Sequence, residues 1–375
     1  MRHFQYLSQE LEQRLFYQLP QSFSKNSDKA WIAHGLGAAL YMPATRARIA
    51  QDIVTKKHRG LMTMILCLED SIEDERVPEA EHNIIQELTT LARYVANGVL
   101  EEEALPFLFI RVRNEEQMER LARGLDQSLR LVTGFVFPKF TSENGPRYLA
   151  VLAQLNGRYR TMLYGMPILE SPVIMYKESR LNELQALLKL FLLYEEWILN
   201  IRIGATDFSG LFGLRRRPDE TIYDVGVIAD CFADLVNTFR REPYPFVLSG
   251  PVWEYFESQP SLQSFTGLLK EVRLDQLNGF IGKTIIHPTH IIPVQAMYTV
   301  SHEEYCDAKS ILERGAGGVM KSTYSNKMNE AKPHYAWAKN VMQQSKIYGV
   351  LRHDKTSIDL LSHYKEVPHL GFYRS

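Results

Sequence analysis

Short apolar runs, each ended by polar or Gly/Pro residues, alternate through the first three quarters of the chain with longer stretches of helical periodicity. Eight such runs predict strands at 38–42, 61–68, 107–112, 134–138, 161–168, 199–204, 245–248 and 282–286. Their largely apolar character fits parallel strands buried on both faces, and most segments between them are long enough for right-handed helical crossovers. Helices are predicted at 78–97, 115–123, 147–155, 178–196 and 224–240. In the fourth, Leu181, Leu184, Leu188, Phe191 and Leu192 fall at helical spacing. Eight strands alternating with helices predict an α/β protein, a (β/α)8 barrel.

Beyond Ile292 the pattern changes to helices only, over 301–314 and 332–348, the first opening with a Ser-x-x-Glu capping box from Ser301 to Glu304. Gly315-Ala-Gly-Gly318 is a flexible connection between them. The expected organisation is an N-terminal helix and link over 1–30, a barrel over 31–295 and a helical C-terminal lid or oligomer contact over 296–375.

With 375 residues the chain has length for a barrel plus an appendage. Lys and Arg number 43 against 44 Asp and Glu, so no global field exists for holding nucleic acid or an anionic membrane. The first twenty residues mix charged groups among apolar ones, unlike a signal peptide, and no run approaches the roughly 20 apolar residues of a membrane span. Cys67, Cys231 and Cys306 form no paired spacing. Together these predict a cytoplasmic protein that recognises a small molecule locally.

In such barrels the carboxyl ends of the strands face the catalytic mouth. Reading those ends in order gives Arg46, Glu69 with Asp70, Arg111, Lys139, Glu170, Asp207, Ser249 and His287. Charges buried repeatedly at one end of apolar strands are costly unless a ligand, metal or partner neutralises them. Glu170 and Asp207, hard carboxylates from neighbouring strands, suit Mg²⁺ or Mn²⁺, with water and substrate oxygens completing the coordination. Glu69 and Asp70 would order the ion's waters from outside. Acids at strand–helix junctions also serve as helix caps, and that alternative stays open. Arg111, in an apolar strand, is a bidentate anchor for a substrate carboxylate unless a mouth acid pairs with it; Arg113 is a weaker candidate. Arg46, Lys139 and His287 complete the expected substrate-binding set.

At these residues the chain resembles the citrate lyase beta subunit and malyl-coenzyme A lyase superfamily, also described as the HpcH/HpaI aldolases. Leu40-Tyr-Met-Pro-Ala-Thr-Arg46 is similar to the opening Leu-Tyr-Val-Pro-Gly-x-Arg, and Ile65-Leu-Cys-Leu-Glu-Asp70 to Leu-Asp-Leu-Glu-Asp. Ile110-Arg-Val, Val136-Phe-Pro-Lys139, Leu169-Glu170, Gly204-Ala-Thr-Asp-Phe208 and Gly279-Phe-Ile-Gly-Lys-Thr-Ile-Ile-His-Pro288 follow in the family's order. The resemblance implies a magnesium-dependent carbon–carbon lyase or aldolase that cleaves or condenses a small oxo- or hydroxy-acid through an enolate, with Glu170 and Asp207 as metal ligands. Two departures stand out: Cys67 replaces a family Asp, and Ala44 replaces a Gly. The thiol reads either as a small buried apolar group or as a nucleophile.

The relatives' C-terminal lid carries an Asp that reaches a neighbouring subunit's site, which implies that Glu330 or Asn329 has a catalytic role here and that the chain forms a homotrimer or hexamer. The ending also resembles a subgroup associated with tellurium-resistance and stress gene clusters. A coenzyme A thioester substrate would need a phosphate landing site, for which Arg46, Arg48, Lys56, Lys57 and Arg59 are candidates, and Arg215-Arg-Arg217 could contact a phosphorylated substrate. Each run reads more readily as a solvated face. Cys67 and the altered tail motivate the alternative of a catalytically silent ligand-binding or scaffold barrel.

Overall fold

The computed structural model describes residues 1–314 and 317–363. After a short N-terminal helix, Gln9–Leu15, and strand β1 (Phe16–Gln18) come eight strands: β2 (Ala38–Pro43), β3 (Thr63–Cys67), β4 (Phe107–Arg111), β5 (Gly134–Phe137), β6 (Tyr164–Leu169), β7 (Arg202–Ile203), β8 (Gly250–Trp253) and β9 (Lys283–Ile285). They form one parallel sheet in the order β7-β6-β5-β4-β3-β2-β9-β8. Its two edges meet where Ile201 bridges Leu248, with the Ile201 N–H donating to the Val247 carbonyl at 2.8 Å, so the sheet closes on itself. The architecture is the α/β TIM barrel that the alternation predicts.

Helices cover the outside through apolar stripes. Val77–Ala96 buries Ala80, Ile84, Leu88 and Leu91 at helical spacing. Burying each such Leu or Ile contributes roughly 1.5–3 kcal/mol. In Lys177–Leu193 the stripe is narrower than expected: Leu184, Leu188 and Phe191 are buried, whereas Leu181 and Leu192 face outward. The seventh barrel strand is also displaced. Phe246, Val247 and Leu248 of the expected strand are buried and Pro245 is exposed, but the ladder with β9 forms over Gly250–Trp253, with an irregularity in register.

The C-terminal region is not purely helical. Between the helices His302–Arg314 and Tyr335–Tyr348 lies an antiparallel pair, β10 (Val319–Lys321) with β11 (Met328–Glu330), and β12 (Val350–Leu351) pairs with β1. Gly315 and Ala316 of the expected flexible connection lie outside the described residues. The capping box holds: Ser301 Oγ donates to Glu304 Oε2 at 2.7 Å, and the Glu304 N–H donates back to Ser301 Oγ at 3.2 Å.

Nor does this region lack a core, since Val300, Ala308, Ile311, Ala338, Val341 and Val350 form one. It docks at the amino ends of the strands: the Tyr348 hydroxyl donates to the His34 carbonyl at 2.8 Å, and His3 stacks on Tyr348 with centroids 4.3 Å apart. Those contacts place the expected lid at the end of the barrel opposite its carboxyl-terminal mouth.

Candidate active site

A cavity of about 450 Å³ opens at the carboxyl ends of the strands. Its wall takes Tyr41, Met42 and Pro43 from β2, Arg202, Ile203 and Gly204 from β7 and its end, and, at the two-residue period of a strand, Ile168 with Glu170 and Thr284 with Ile286 from the ends of β6 and β9. Cys67, Asp70, Arg111 and Asp207 complete the polar and reactive part of the wall.

Arg111, at the end of β4, is the hub. Its Nη2 lies 2.6 Å from Glu69 Oε2, 3.0 Å from Asp70 Oδ2 and 3.2 Å from Glu170 Oε1. Although burial opposes its charge, the surrounding anions, Glu170 foremost, raise its pKa above the ordinary value. The expectation that a mouth acid might pair with this arginine is thus met three times over, while Arg111 Nε remains buried with no hydrogen-bond partner.

Glu170 follows β6 and is 5% exposed. Its Oε1 accepts from the Lys139 backbone N–H at 2.9 Å as well as from Arg111. Lys139 adopts a left-handed backbone with φ 47°, a conformation that costs a non-glycine residue about 1 kcal/mol or more. The Lys139 ammonium reaches back to Glu69 and lies 3.5 Å from Asp70.

Gly204 lies against Glu170 from β7's end: a Cβ there would sit 2.3 Å from Glu170 Oε2. Asp207 occupies the first turn of the following helix, Ala205–Gly210, within hydrogen-bonding reach of Glu170. The Glu170 carboxyl is raised to about 7: burial raises it most, Arg111 opposes, and the charge of Asp207 adds to the rise. Asp207 is likewise raised, by burial first and then by the charge of Asp70. Asp70 goes the other way: burial would raise it, but Glu69, Arg111 and Lys139 together hold it below the usual value.

Of the expected site residues, Glu69, Asp70, Arg111, Lys139, Glu170 and Asp207 therefore converge. Three do not. Arg46 lies three residues past the end of β2 and turns to Asp52, with Nη2 2.7 Å from Oδ2. His287 has the wrong parity, one residue beyond the inward-facing Ile286; it stacks on Phe256 at 4.3 Å, and its Nδ1 engages Thr289 Oγ1 at 2.8 Å. Glu330 is exposed on β11 and does not line this chain's cavity, while its neighbour Asn329 is buried and donates to Asp307 Oδ1 at 2.8 Å.

The weaker candidates are also accounted for. Arg113 is tied to the Leu68 and Ile72 carbonyls, and Arg216 is buried against the Val252 carbonyl. Lys57 pairs with Asp52, and Lys56 and Arg59 line a separate cavity beside the amino ends of β3 and β4, so these three do not form a phosphate site at the mouth. Cys67 is buried and faces the cavity.

Sequence reasoning missed Arg202 and Tyr41. Arg202 is 1% exposed, lines the cavity floor and donates through Nη2 to Thr284 Oγ1 at 2.6 Å. A lone arginine between Ile201 and Ile203 was visible as an anomaly in an apolar strand, as Arg111 was.

Among solved structures the chain is similar to the protein CitE from Mycobacterium tuberculosis in complex with magnesium, acetoacetate and coenzyme A. The match covers 84% of this chain and 99% of that one, at 17% identity and a TM-score of 0.52. RipC from Yersinia pestis matches over 72% of this chain and 99% of its own at 19% identity and a TM-score of 0.47. At 17% identity the first of these likenesses shows the fold alone. No curated protein matches the chain. Residues 30–350 match the family described as C-C bond lyase of the TIM-barrel fold. With the match spanning all eight barrel strands and the whole mouth, the chain belongs to the carbon–carbon bond lyases of the TIM-barrel fold.

Proposed function

We propose that Glu170 and Asp207 hold one divalent cation, Mg²⁺ or Mn²⁺, and that the enzyme uses it to break or form the carbon–carbon bond beside the carbonyl of a small oxo- or hydroxy-acid. The observation that carries this reading is electrostatic. Four carboxylates, those of Glu69, Asp70, Glu170 and Asp207, face only two cations, Arg111 and Lys139, in one cluster. Within that cluster two negative charges remain uncompensated when all are ionised, the charge that one divalent ion neutralises; Arg202, which lines the same cavity at the level of Ile168, pairs with none of the four acids. Hard oxygen donors on neighbouring strands, with space kept clear beside Glu170 by Gly204, fit such an ion; the remaining positions go to water and substrate oxygens.

Bound there, the ion would supply Lewis acidity toward the acid's carboxylate and adjacent oxygen, stabilising the negative charge of an enolate. The chain's own residues do the rest. Lys139 and Arg111 fix Glu170 through two hydrogen bonds, so the carboxylate is oriented before substrate arrives. Arg111, itself clamped by three acids, keeps Nε unpartnered at the cavity wall, and we assign it the anchoring of the substrate carboxylate. Asp70, half-exposed at the rim, is placed to order water around the ion. Glu330, exposed on its hairpin, is left for the mouth of a neighbouring subunit in a trimer or hexamer. A free acid fits better than a coenzyme A thioester, because Arg46, Lys56, Lys57 and Arg59 are committed elsewhere.

The test is magnesium-dependent exchange of pyruvate methyl protons in deuterated water. Exchange in the native enzyme that vanishes in Glu170→Ala and Asp207→Ala is expected. Metal binding without exchange of any oxo-acid would instead favour the silent-scaffold reading, which Cys67 in the cavity wall keeps in view.

A further inference from the structure

Two arginines face the cavity, and their surroundings differ sharply. Arg111 is saturated by carboxylates. Arg202 pairs with none among the described residues: Nη2 donates to the Thr284 hydroxyl, the Tyr41 ring centroid lies 5.8 Å from its guanidinium carbon, and Nε and Nη1 are buried without a partner. A buried guanidinium stays charged, and leaving it without a counter-ion costs several kcal/mol. The polarity at the bottom of the cavity is therefore not answered from within the protein.

The register places this cation. Arg202 pairs with Ile168, two residues before Glu170 on β6, so it lies about 6–7 Å deeper in the barrel than the acid pair. Tyr41 lines the same cavity as the two arginines and feels the charge of both. A ligand held at its oxo-acid end by Glu170, Asp207 and Arg111 would direct its other end toward Arg202. That separation suits a short acid charged at both ends, not one ending in a methyl group.

We propose that Arg202, with the hydroxyls of Thr284 and Tyr41, is a second anion subsite, and that the substrate is a short oxo- or hydroxy-acid carrying a second anionic group, carboxylate or phosphate, at its far end. The inference rests on the reading that the acid pair binds the near end with a divalent ion. It restricts the substrate to dianionic free acids, and it gives a buried cation in this chain its counter-ion.

Lactate, malate and 3-phosphoglycerate share a 2-hydroxy-carboxylate and differ at the far end, which is a methyl, a carboxylate or a phosphate. Calorimetric titration of each into the full-length protein with Mg²⁺ should show malate or 3-phosphoglycerate binding at least tenfold tighter than lactate, and the tighter of the two identifies the group. In Arg202→Met that preference should fall to within about twofold, with Arg202→Lys intermediate. Equal binding of all three by the native protein, or a preference that survives in Arg202→Met, overturns the subsite. Should Arg202→Met not fold, the native ranking and Arg202→Lys decide. Preference without Mg²⁺ dependence supports the subsite and contradicts only the metal reading. Mg²⁺-dependent binding without preference does the reverse, and no binding of any of the three overturns both.

Discussion

Gly204→Ala probes the acid pair without touching a charged residue. Gly204 has φ −93°, so an alanine meets no backbone strain there; the penalty comes from space. The added methyl would lie 2.3 Å from Glu170 Oε2 and 2.5 Å from its Cβ, far inside van der Waals contact. Glu170 must swing away, and in doing so it loses the hydrogen bonds from the Lys139 N–H at 2.9 Å and from Arg111 at 3.2 Å. Hydrogen bonds to a charged group contribute about 1.5–3 kcal/mol each, so a loss near 3 kcal/mol is expected after partial relaxation. Because Glu170 would leave Asp207 alone, divalent-metal affinity should drop by about a hundredfold or more, equivalent to roughly 2.8 kcal/mol. Gly210→Ala, at the end of the same short helix, is the control: a Cβ there meets nothing within 4 Å, and the change should be neutral or stabilising by about 0.5–1 kcal/mol. Urea unfolding and metal calorimetry on both variants read the two effects. Native-like metal affinity in Gly204→Ala would refute the claim that Glu170 is a ligand held against Gly204.

Two further outcomes follow from buried charge. Lys283 bridges Glu271 at 2.9 Å and Asp275 at 2.8 Å, with all three side chains fully buried, tying β9 to the helix Thr266–Leu277. Lys283→Met leaves Asp275 without its cation and Glu271 with only Arg216 at 3.5 Å, and should cost about 3–5 kcal/mol by chemical unfolding, whereas loss of an exposed pair, as in Arg76→Met, should leave the unfolding midpoint nearly unchanged. His3 and His290 are buried, and burial lowers their pKa to about 4 and about 3 from 6.5. Both are neutral when folded but take up a proton first in the unfolded chain. Their contribution is thus complete above pH 6.5 and is lost as pH falls toward 4, at up to about 3 kcal/mol for His3. Stability measured across that window should decline in the native protein and decline less in His3→Gln.

The barrel was legible because parallel strands buried on both faces read as apolar runs whatever their neighbours. The exception is 246–248, which is apolar and buried, yet the ladder with β9 forms at Gly250–Trp253, because pairing depends on the partner's register and not on the apolar run alone. The pairs β10–β11 and β1–β12 are two or three residues long, and β1 draws its partner from distant sequence, too little pattern for periodicity to detect.

At the site, charges at strand ends revealed the acids, Arg111 and Lys139. Whether a residue faces the mouth, however, is set by parity, which excludes His287 after Ile286, and by the turn beyond the strand, which gives Arg46 to Asp52. Arg202 carries no strand-end signal, because it sits at the level of Ile168 where the cavity extends one layer deeper.

The central claim is that Glu170 and Asp207 converge on one divalent ion. Titration with Mn²⁺, followed by the electron paramagnetic resonance signal of the free ion, counts it directly. One bound ion per chain, displaced by Mg²⁺ and missing from both Glu170→Ala and Asp207→Ala, is the predicted result. Undiminished binding in either variant, or no binding by the native protein, would contradict it.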